Sequence, residues 1–321
     1  MENNDVQSVH FEHVGQLKYL LPELQDLKRQ QPAHYSQSIA SSLFTESWKL
    51  LFYGQDAGQI ALRITLKALL ALVLPGCDAY FFKTAKIEEK SAEIILKSAF
   101  SEQIEGKIDA HLYSLLFAEI PGLVAEFYGD EDFGENQESF DGTHWFVDAL
   151  CKQARAGATK PGMPRLLLVP PEMHSDHCLI TAVYAVLLSS GFKADIGLPF
   201  LTGLTHHLHN AVLPDCGFAG EIALGDYLQP IIDNSRSEAL KKIDHKESEI
   251  IMHAITNHEN LNNPEGRSSS AADVLDRVLD IKWRVRAASV TEKDVLDDRE
   301  LVHDGPIKSF QNEVLKSADL C

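Results

Sequence analysis

The sequence is poor in cysteine and in basic residues. Its five cysteines are odd in number and form no CxxC pair, which argues against a disulfide framework and predicts free thiols in a reducing compartment. Basic residues number 29 against 47 acidic ones, for a net charge of −18. Because a field of that sign repels nucleic acid and anionic lipid, we expect neither bulk nucleic-acid binding nor membrane association.

The sequence also lacks an uncharged apolar run long enough to cross a bilayer. Residues 60–74 are strongly apolar but contain Arg63 and Lys67, and residues 178–188 are fewer than the ~20 that a membrane span needs. Both segments are therefore expected to be buried helices. The first residues are polar and acidic, unlike a signal peptide. We expect a cytoplasmic protein and leave a homo-oligomer open.

Apolar residues recur at helical spacing along most of the chain. Leu112, Leu116 and Ile120 are one such series, and series of this kind predict amphipathic helices. Pro75–Gly76 and Pro121–Gly122 are expected to end two of them. With 45% hydrophobic and 24% charged residues, the composition is that of a globular protein. The predicted fold class is all-α.

Changes in composition suggest a division into three parts. Residues 129–141 are acidic and predict a solvated loop, and residues 152–165 are small, basic and interrupted by Gly and Pro, as in a linker. Residues 166–169 are expected to form a short strand or a helical turn. The predicted division is an N-terminal helical region of unknown role (1–160), a metal-binding helical domain (161–290) and an acidic tail with one helix (291–321).

The second half of the chain contains histidines and an aspartate at intervals that suit a metal site. His177 opens an apolar helix that Ser175 or Asp176 can cap, and His206–His207 falls in a second expected helix over residues 198–212. Taken singly, each histidine is more often a surface residue or a hydrogen-bonded core residue. The ordered set is harder to dismiss, because imidazole and carboxylate are costly to bury without partners.

The predicted ligands are His177, His206, His207, His258 and Asp273. Imidazole nitrogen and carboxylate oxygen suit borderline divalent ions, so the expected cofactor is one or two ions of Fe, Mn, Zn, Co or Ni. We expect the first three histidines and Asp273 to share one cavity. His258 is expected to bind only if the site holds two ions.

The order of these residues resembles the HD-domain superfamily of metal-dependent phosphohydrolases, over residues 165–288. His177–Cys–Leu–Ile–Thr–Ala resembles the first histidine element, and Leu204–Thr–His–His–Leu–His–Asn–Ala211 resembles the doublet element. Ala272–Asp–Val–Leu–Asp276 resembles the final aspartate element. The segment around His258 is similar to the second-metal region of the cyclic-dinucleotide phosphodiesterase branch. The resemblance implies an HD-like helical domain and hydrolysis of phosphate esters.

The chain departs from the family's pattern at the doublet. His206–His207 stands where the family has His–Asp, so a carboxylate is replaced by a neutral ligand. This change is expected to lower affinity for hard ions such as Mg and to favour Fe or Zn. Asn210 stands where many members have lysine or histidine, and the Gly–Tyr–Pro signature of the phosphodiesterase branch is missing.

The leading hypothesis is a metal-dependent phosphohydrolase acting on a small phosphorylated molecule or nucleotide. Asp273 or Asp176 would orient the attacking water, and Arg267, Lys282 or Arg284 would neutralise phosphate charge. One alternative is a regulatory or scaffold protein that retains the helical fold, which the altered doublet favours. A further alternative is a di-iron oxygenase, a chemistry that also occurs in the superfamily resembled.

Overall fold

The computed structural model describes residues 11–129, 145–258, 260–285, 291–298 and 300–320. In these ranges the secondary structure is helical, without a strand or a sheet. Two isolated β-bridges, Ala154–Met173 and Ala158–Leu166, are present outside the helices. The predicted all-α fold class is therefore confirmed. The acidic loop predicted at residues 129–141 lies outside the described residues, apart from Gly129.

In the described residues the helices range from five to 22 residues in length. The first seven are α1 (Leu20–Leu24), α2 (Ile39–Phe52), α3 (Ala57–Ala71), α4 (Ala79–Thr84), α5 (Glu89–Ile104), α6 (Ala110–Tyr128) and α7 (Trp145–Lys152). The other eight are α8 (His174–Phe192), α9 (Gly197–Thr205), α10 (Gly217–Leu224), α11 (Leu228–Leu240), α12 (His245–Asn257), α13 (Pro264–Val285), α14 (Glu292–Leu296) and α15 (Lys308–Ser317). Short 3₁₀ turns cover Gln25–Lys28, Leu208–Ala211 and Gly225–Tyr227.

Helix α8 is the central element of the fold. Every residue of α8 except Ser190 is buried, and the helix packs against α2, α7, α9 and α13. By length and composition α8 could cross a membrane, but 89% of its apolar window is buried inside the protein. A helix that is apolar on all sides and covered by other helices is typical of a protein core.

Gly203 lets α9 approach α8 closely. A Cβ atom at this position would lie 2.5 Å from the backbone of Ala182, which is well inside van der Waals contact. The helices can therefore meet here only because Gly203 has no side chain. This contact holds the C-terminal end of α9, and the histidines that follow it, against the first half of α8.

The apolar stripe of α6 extends beyond Pro121–Gly122. Pro121–Gly122 was expected to end this helix, but α6 continues to Tyr128 with Pro121 inside it, and that prediction is wrong. Pro121 and Gly122 are exposed, so the backbone bond that proline removes faces solvent. Leu123 and Phe127 continue the buried stripe and hold the rest of the helix on the core.

Two further segments differ from expectation. Residues 166–169 form neither a strand nor a helical turn, because Leu166 makes one isolated bridge to Ala158 and the next residues are irregular. The C-terminal segment contains two helices, α14 and α15, rather than one. All three predicted parts contribute buried residues to the main hydrophobic cluster, and a smaller cluster contains Ala158, Ile281 and Val295. The division of the three parts into separate units stays a prediction.

Candidate metal centre

Side chains from three helices meet beside the first turn of α8. His177 lies in that turn, His206 directly follows α9, and Asp273 lies in the middle of α13. The Nε2 atoms of His177 and His206 are 3.0 Å apart. Oδ1 of Asp273 lies 3.3 Å from the first of these nitrogens and 4.0 Å from the second. The structure thus brings these three predicted residues to one point.

The outer ring nitrogens define the tautomers of both histidines. Nδ1 of His206 lies 2.7 Å from the carbonyl oxygen of Gly203, which can only accept a hydrogen bond. Nδ1 of His177 lies 2.6 Å from Oδ2 of Asp276. If both Nδ1 atoms donate and both rings are neutral, the two Nε2 atoms present lone pairs to each other across 3.0 Å. Two facing lone pairs repel unless a cation lies between them.

His207 adds a third imidazole to the same cluster. Its ring centroid lies 4.3 Å from that of His206 and 5.0 Å from that of His177. Its Nδ1 lies 2.9 Å from Oδ1 of Asn210, whose amide nitrogen donates to the Leu213 carbonyl. One nitrogen from each of the three rings lies within 4.8 Å of the others. His206 and His207 follow α9 rather than lying within it, because the helix ends at Thr205.

His258 lies at the edge of the cluster, directly after α12. Its ring stacks on His206 with 4.7 Å between the centroids. Its Nε2 atom lies 3.9 Å from Oδ2 of Asp273, whereas the other two histidines approach Oδ1. His206, His258 and Asp273 form a second ligand group within 4.8 Å. Asp273 therefore directs Oδ1 toward His177 and His206 and Oδ2 toward His258.

Burial and neighbouring charge favour a neutral imidazole and an ionised carboxylate here. Burial and the adjacent imidazoles hold the pKa of His206 and of His207 well below the ordinary histidine value. Burial opposes ionisation of Asp273, but Arg277 and His177 hold the pKa of its carboxyl well below the usual range. These are the protonation states in which both residue types bind metal.

The donor set fits a divalent ion. Oδ1 of Asp273 is buried and accepts no hydrogen bond from the described residues, although buried polar atoms normally have a partner. His177, His206 and Asp273 together offer two nitrogens and one oxygen, a set that suits Fe, Mn, Zn, Co or Ni. His207 and His258 would complete or extend the ligand shell.

Arg277 is a cationic side chain beside this donor set. It lies one turn after Asp273 on α13, with its Nε atom 3.6 Å from Oδ1 of that carboxylate. The side chain of Arg277 is 21% exposed. Arg155 is also close enough for its charge to act on His207, and its own guanidinium contacts Glu172. A mostly buried guanidinium beside the cluster could bind an anionic ligand bidentately.

The cations expected from the sequence have other partners. Arg267 donates to the Leu261 carbonyl at 3.1 Å, and Lys282 lies 3.6 Å from Glu292. Arg284 is buried and donates to Asp280 and to the carbonyl of Pro170. These three side chains are thus paired with groups outside the histidine cluster, whereas Arg277 lies beside Asp273.

Asp176 has a local role at the start of α8. One of its oxygens accepts the backbone N–H of Met173, the residue before the helix, at 3.1 Å and so satisfies that donor at the N-terminus of α8. The other accepts from the hydroxyls of Ser38 and Ser41 on the α2 side. The carboxylate that the sequence offered as a catalytic group thus ties α2 to α8.

Sequence reasoning missed residues that the fold adds to the cluster. His174 is fully buried and its ring lies 5.0 Å from that of His207. Among the described residues neither of its ring nitrogens has a hydrogen-bond partner, and Nε2 lies 3.6 Å from Oδ2 of Asp215. Its spacing of three residues from His177 places both on one helix face and could have revealed it. The same argument, at four residues from Asp273, could have found Arg277. No local pattern pointed to Arg155.

Comparisons with protein-family models, with curated proteins and with solved structures found no match.

Proposed function

We propose that this protein is a metal-dependent phosphohydrolase with an HD-like site. One observation carries the proposal. The Nε2 atoms of His177 and His206 face each other at 3.0 Å beside Oδ1 of Asp273, which is buried and accepts no hydrogen bond from the described residues. An arrangement of three electron-pair donors around one buried point is stabilised by a cation and disfavoured without one. The order of these residues along the chain resembles the superfamily, which supports the same assignment.

In this proposal His177, His206 and Asp273 bind one ion, and His207 completes the shell. His258 would contribute to a second ion through the other oxygen of Asp273. When bound, such an ion polarises a phosphoryl oxygen and lowers the pKa of a water molecule, so that water can attack phosphorus near neutral pH. The low pKa values of His206 and His207 mean that neither ring must lose a proton to bind.

Arg277 would hold the phosphate of the substrate. Its guanidinium lies beside the donor set and retains partial access to solvent, so one side can pair with Asp273 and the other with an incoming anion. Arg155 adds positive charge on the side of His207. The substrate class is a small phosphorylated molecule or nucleotide in the cytoplasm. The described cysteines, which form no disulfide, support that compartment.

The proposal is tested by elemental analysis of protein purified without added metal, followed by assays on a phosphomonoester and phosphodiester panel. We expect at least one Fe, Mn, Zn, Co or Ni ion per chain and measurable hydrolysis. Asp273→Asn and His206→Gln should both lose metal and activity. Lys97→Met should retain both, because Lys97 pairs with Glu93 on α5, a helix that contributes no residue to the cluster. Wild-type protein that binds none of these ions and hydrolyses nothing on the panel would refute the proposal.

A regulatory or scaffold role is the second candidate. The observation that favours it is the structural use of Asp176, an expected catalytic carboxylate, and of Arg284, an expected phosphate-binding cation. In this alternative a proton shared between His177 and His206 replaces the metal, and the cluster serves only to stabilise the fold. Two results together would support this candidate. Elemental analysis would find no metal in the wild-type protein as purified, and treatment with a chelator would leave its melting temperature unchanged.

A further inference from the structure

A buried hydrogen-bonded chain connects the N-terminal region to His177. Asp276, which is fully buried, accepts the His177 Nδ1–H at 2.6 Å. The ammonium of Lys28 lies 2.7 Å and 2.9 Å from the two oxygens of the same carboxylate. The side-chain amide of Gln25 donates to its Oδ1 at 2.8 Å. Asp276 therefore has three donors, of which two come from the turn Gln25–Lys28.

The charges around Asp276 explain why this arrangement is stable. Asp276 and Glu172 are both buried, and Lys28, whose side chain is 1% exposed, contacts both. A buried carboxylate is tolerated only when it is paired and its lone pairs are satisfied. Glu172, Asp276 and His177 offer ligand atoms within 4.8 Å of one another and could bind a cation. The ammonium of Lys28 is the cation that contacts both carboxylates. The ammonium thus determines both the charge and the orientation of Asp276.

The orientation of Asp276 in turn determines how His177 faces the donor set. A carboxylate that accepts from Nδ1 selects the tautomer with a lone pair on Nε2 and limits rotation of the ring. Nε2 is the atom that lies 3.0 Å from His206 and 3.3 Å from Asp273. If Asp276 turned away, His177 could protonate Nε2 instead and would no longer offer a lone pair there.

We propose that Lys28 and Gln25 are positioning residues of the metal centre, acting on His177 through Asp276. This inference rests on the proposed metal site. It gives a function to part of the N-terminal region, whose role the sequence left unassigned. Neither Lys28 nor Gln25 is proposed to touch the metal or the substrate.

The test compares Lys28→Met with Lys67→Met in the full-length protein. Lys67 forms an ion pair with Glu46 at 2.6 Å and contacts none of the residues around Asp276 in the described structure, so its replacement controls for the loss of a lysine ion pair as such. Co²⁺ affinity is measured by visible absorption with a competing chelator. Because outer-shell partners typically contribute 10- to 100-fold to metal affinity, we expect a loss of about that size in Lys28→Met. Lys67→Met should retain the wild-type affinity.

A second measurement reads the tautomer of His177 without metal. Nitrogen-15 NMR of the metal-free protein, with His177→Gln used to assign the signal, should show a protonated Nδ1 and an unprotonated Nε2 in the wild type. In Lys28→Met this signature should be lost, an effect that a general loss of stability does not produce. If Lys28→Met does not fold, Gln25→Met removes a different bond to the same carboxylate and should lower Co²⁺ affinity in the same direction.

The outcomes separate this inference from the proposed function. Lys28→Met or Gln25→Met with wild-type Co²⁺ affinity and an unchanged His177 tautomer would overturn the positioning role. A wild-type protein that binds no Co²⁺ would instead overturn the metal centre, while the tautomer measurement would still decide whether Lys28 orients His177.

Discussion

Replacing Arg277 with methionine should change metal affinity and hydrolysis in opposite directions. The guanidinium would compete with a bound metal ion for Asp273, since its Nε lies 3.6 Å from Oδ1. It would also stabilise the substrate phosphate. Methionine has a similar length and no charge, so the substitution removes the electrostatic contribution while it retains most of the packing.

The size of the effect follows from this distance. Two unit charges at the Arg277–Asp273 separation attract by about 5 kcal/mol at an effective dielectric constant near 20. Because the arginine side chain is 21% exposed, solvent screens much of this energy. We expect metal affinity to rise by about tenfold, which corresponds to ~1.4 kcal/mol. Loss of one group that stabilises transition-state charge should lower kcat by about 10²- to 10³-fold.

Both quantities can be measured on the same preparation. Metal affinity is obtained by titration with a chromophoric chelator, and kcat is obtained on the best phosphate ester of the panel at saturating metal. Arg165→Met removes a charge from an arginine that donates to the backbone carbonyls of Ala156 and Cys216, and should leave both values unchanged. Weaker metal binding in Arg277→Met, or full hydrolytic activity, would refute the role assigned to Arg277.

Three further predictions concern individual side chains. His258→Ala should retain one ion per chain by elemental analysis, because Nε2 of His258 lies 3.9 Å from Oδ2 of Asp273, the oxygen that faces away from His177 and His206. Complete loss of metal would show that His258 belongs to the primary ligand shell. His207→Asp should retain metal and keep or raise ester hydrolysis, since it restores the His–Asp doublet; an inactive, metal-bound variant would contradict this. Burial opposes ionisation of Asp280, but Lys28 and two arginines hold the pKa of its carboxyl below the usual value. Its contribution to stability is therefore complete above the unfolded pKa near ~4 and lost as pH falls below it. In Asp280→Asn, urea denaturation should show a lower free energy of unfolding at pH 7 and a weaker pH dependence in acid; an unchanged acid dependence would refute it.

The helical character of the chain was predictable because it depends on local spacing. Leu112, Leu116 and Ile120 recur at the helical period, and they lie on one buried stripe of α6. The error at Pro121 has a physical reason. A proline ends a helix only if the bond it removes and the strain it adds exceed the gain from burying the residues beyond it. Burial of Leu123 and Phe127 depends on tertiary packing, which spacing alone does not reveal.

Candidate ligands were predictable for a similar reason, but their partners were not. Imidazoles and a carboxylate on apolar segments attract attention in any sequence, because their burial needs compensation. That reasoning singled out the histidines and Asp273, but not the cation beside Asp273 or the groups around Asp276. A four-residue spacing offers Arg277 as a helical neighbour of Asp273. Only the structure shows that its Nε lies 3.6 Å from Oδ1 of Asp273 and that Arg267 instead donates to the Leu261 carbonyl.

By itself, the sequence determined the all-α class and the side chains able to bind a metal, since both follow from residue type and short-range spacing. Tertiary structure decided which of those side chains meet. The absence of a side chain at Gly203 brings α9 onto α8, and packing of the first turns against α13 places Lys28 on Asp276 across 248 positions of the chain. A contact at that separation depends on how whole helices pack, and no periodicity in the sequence records it.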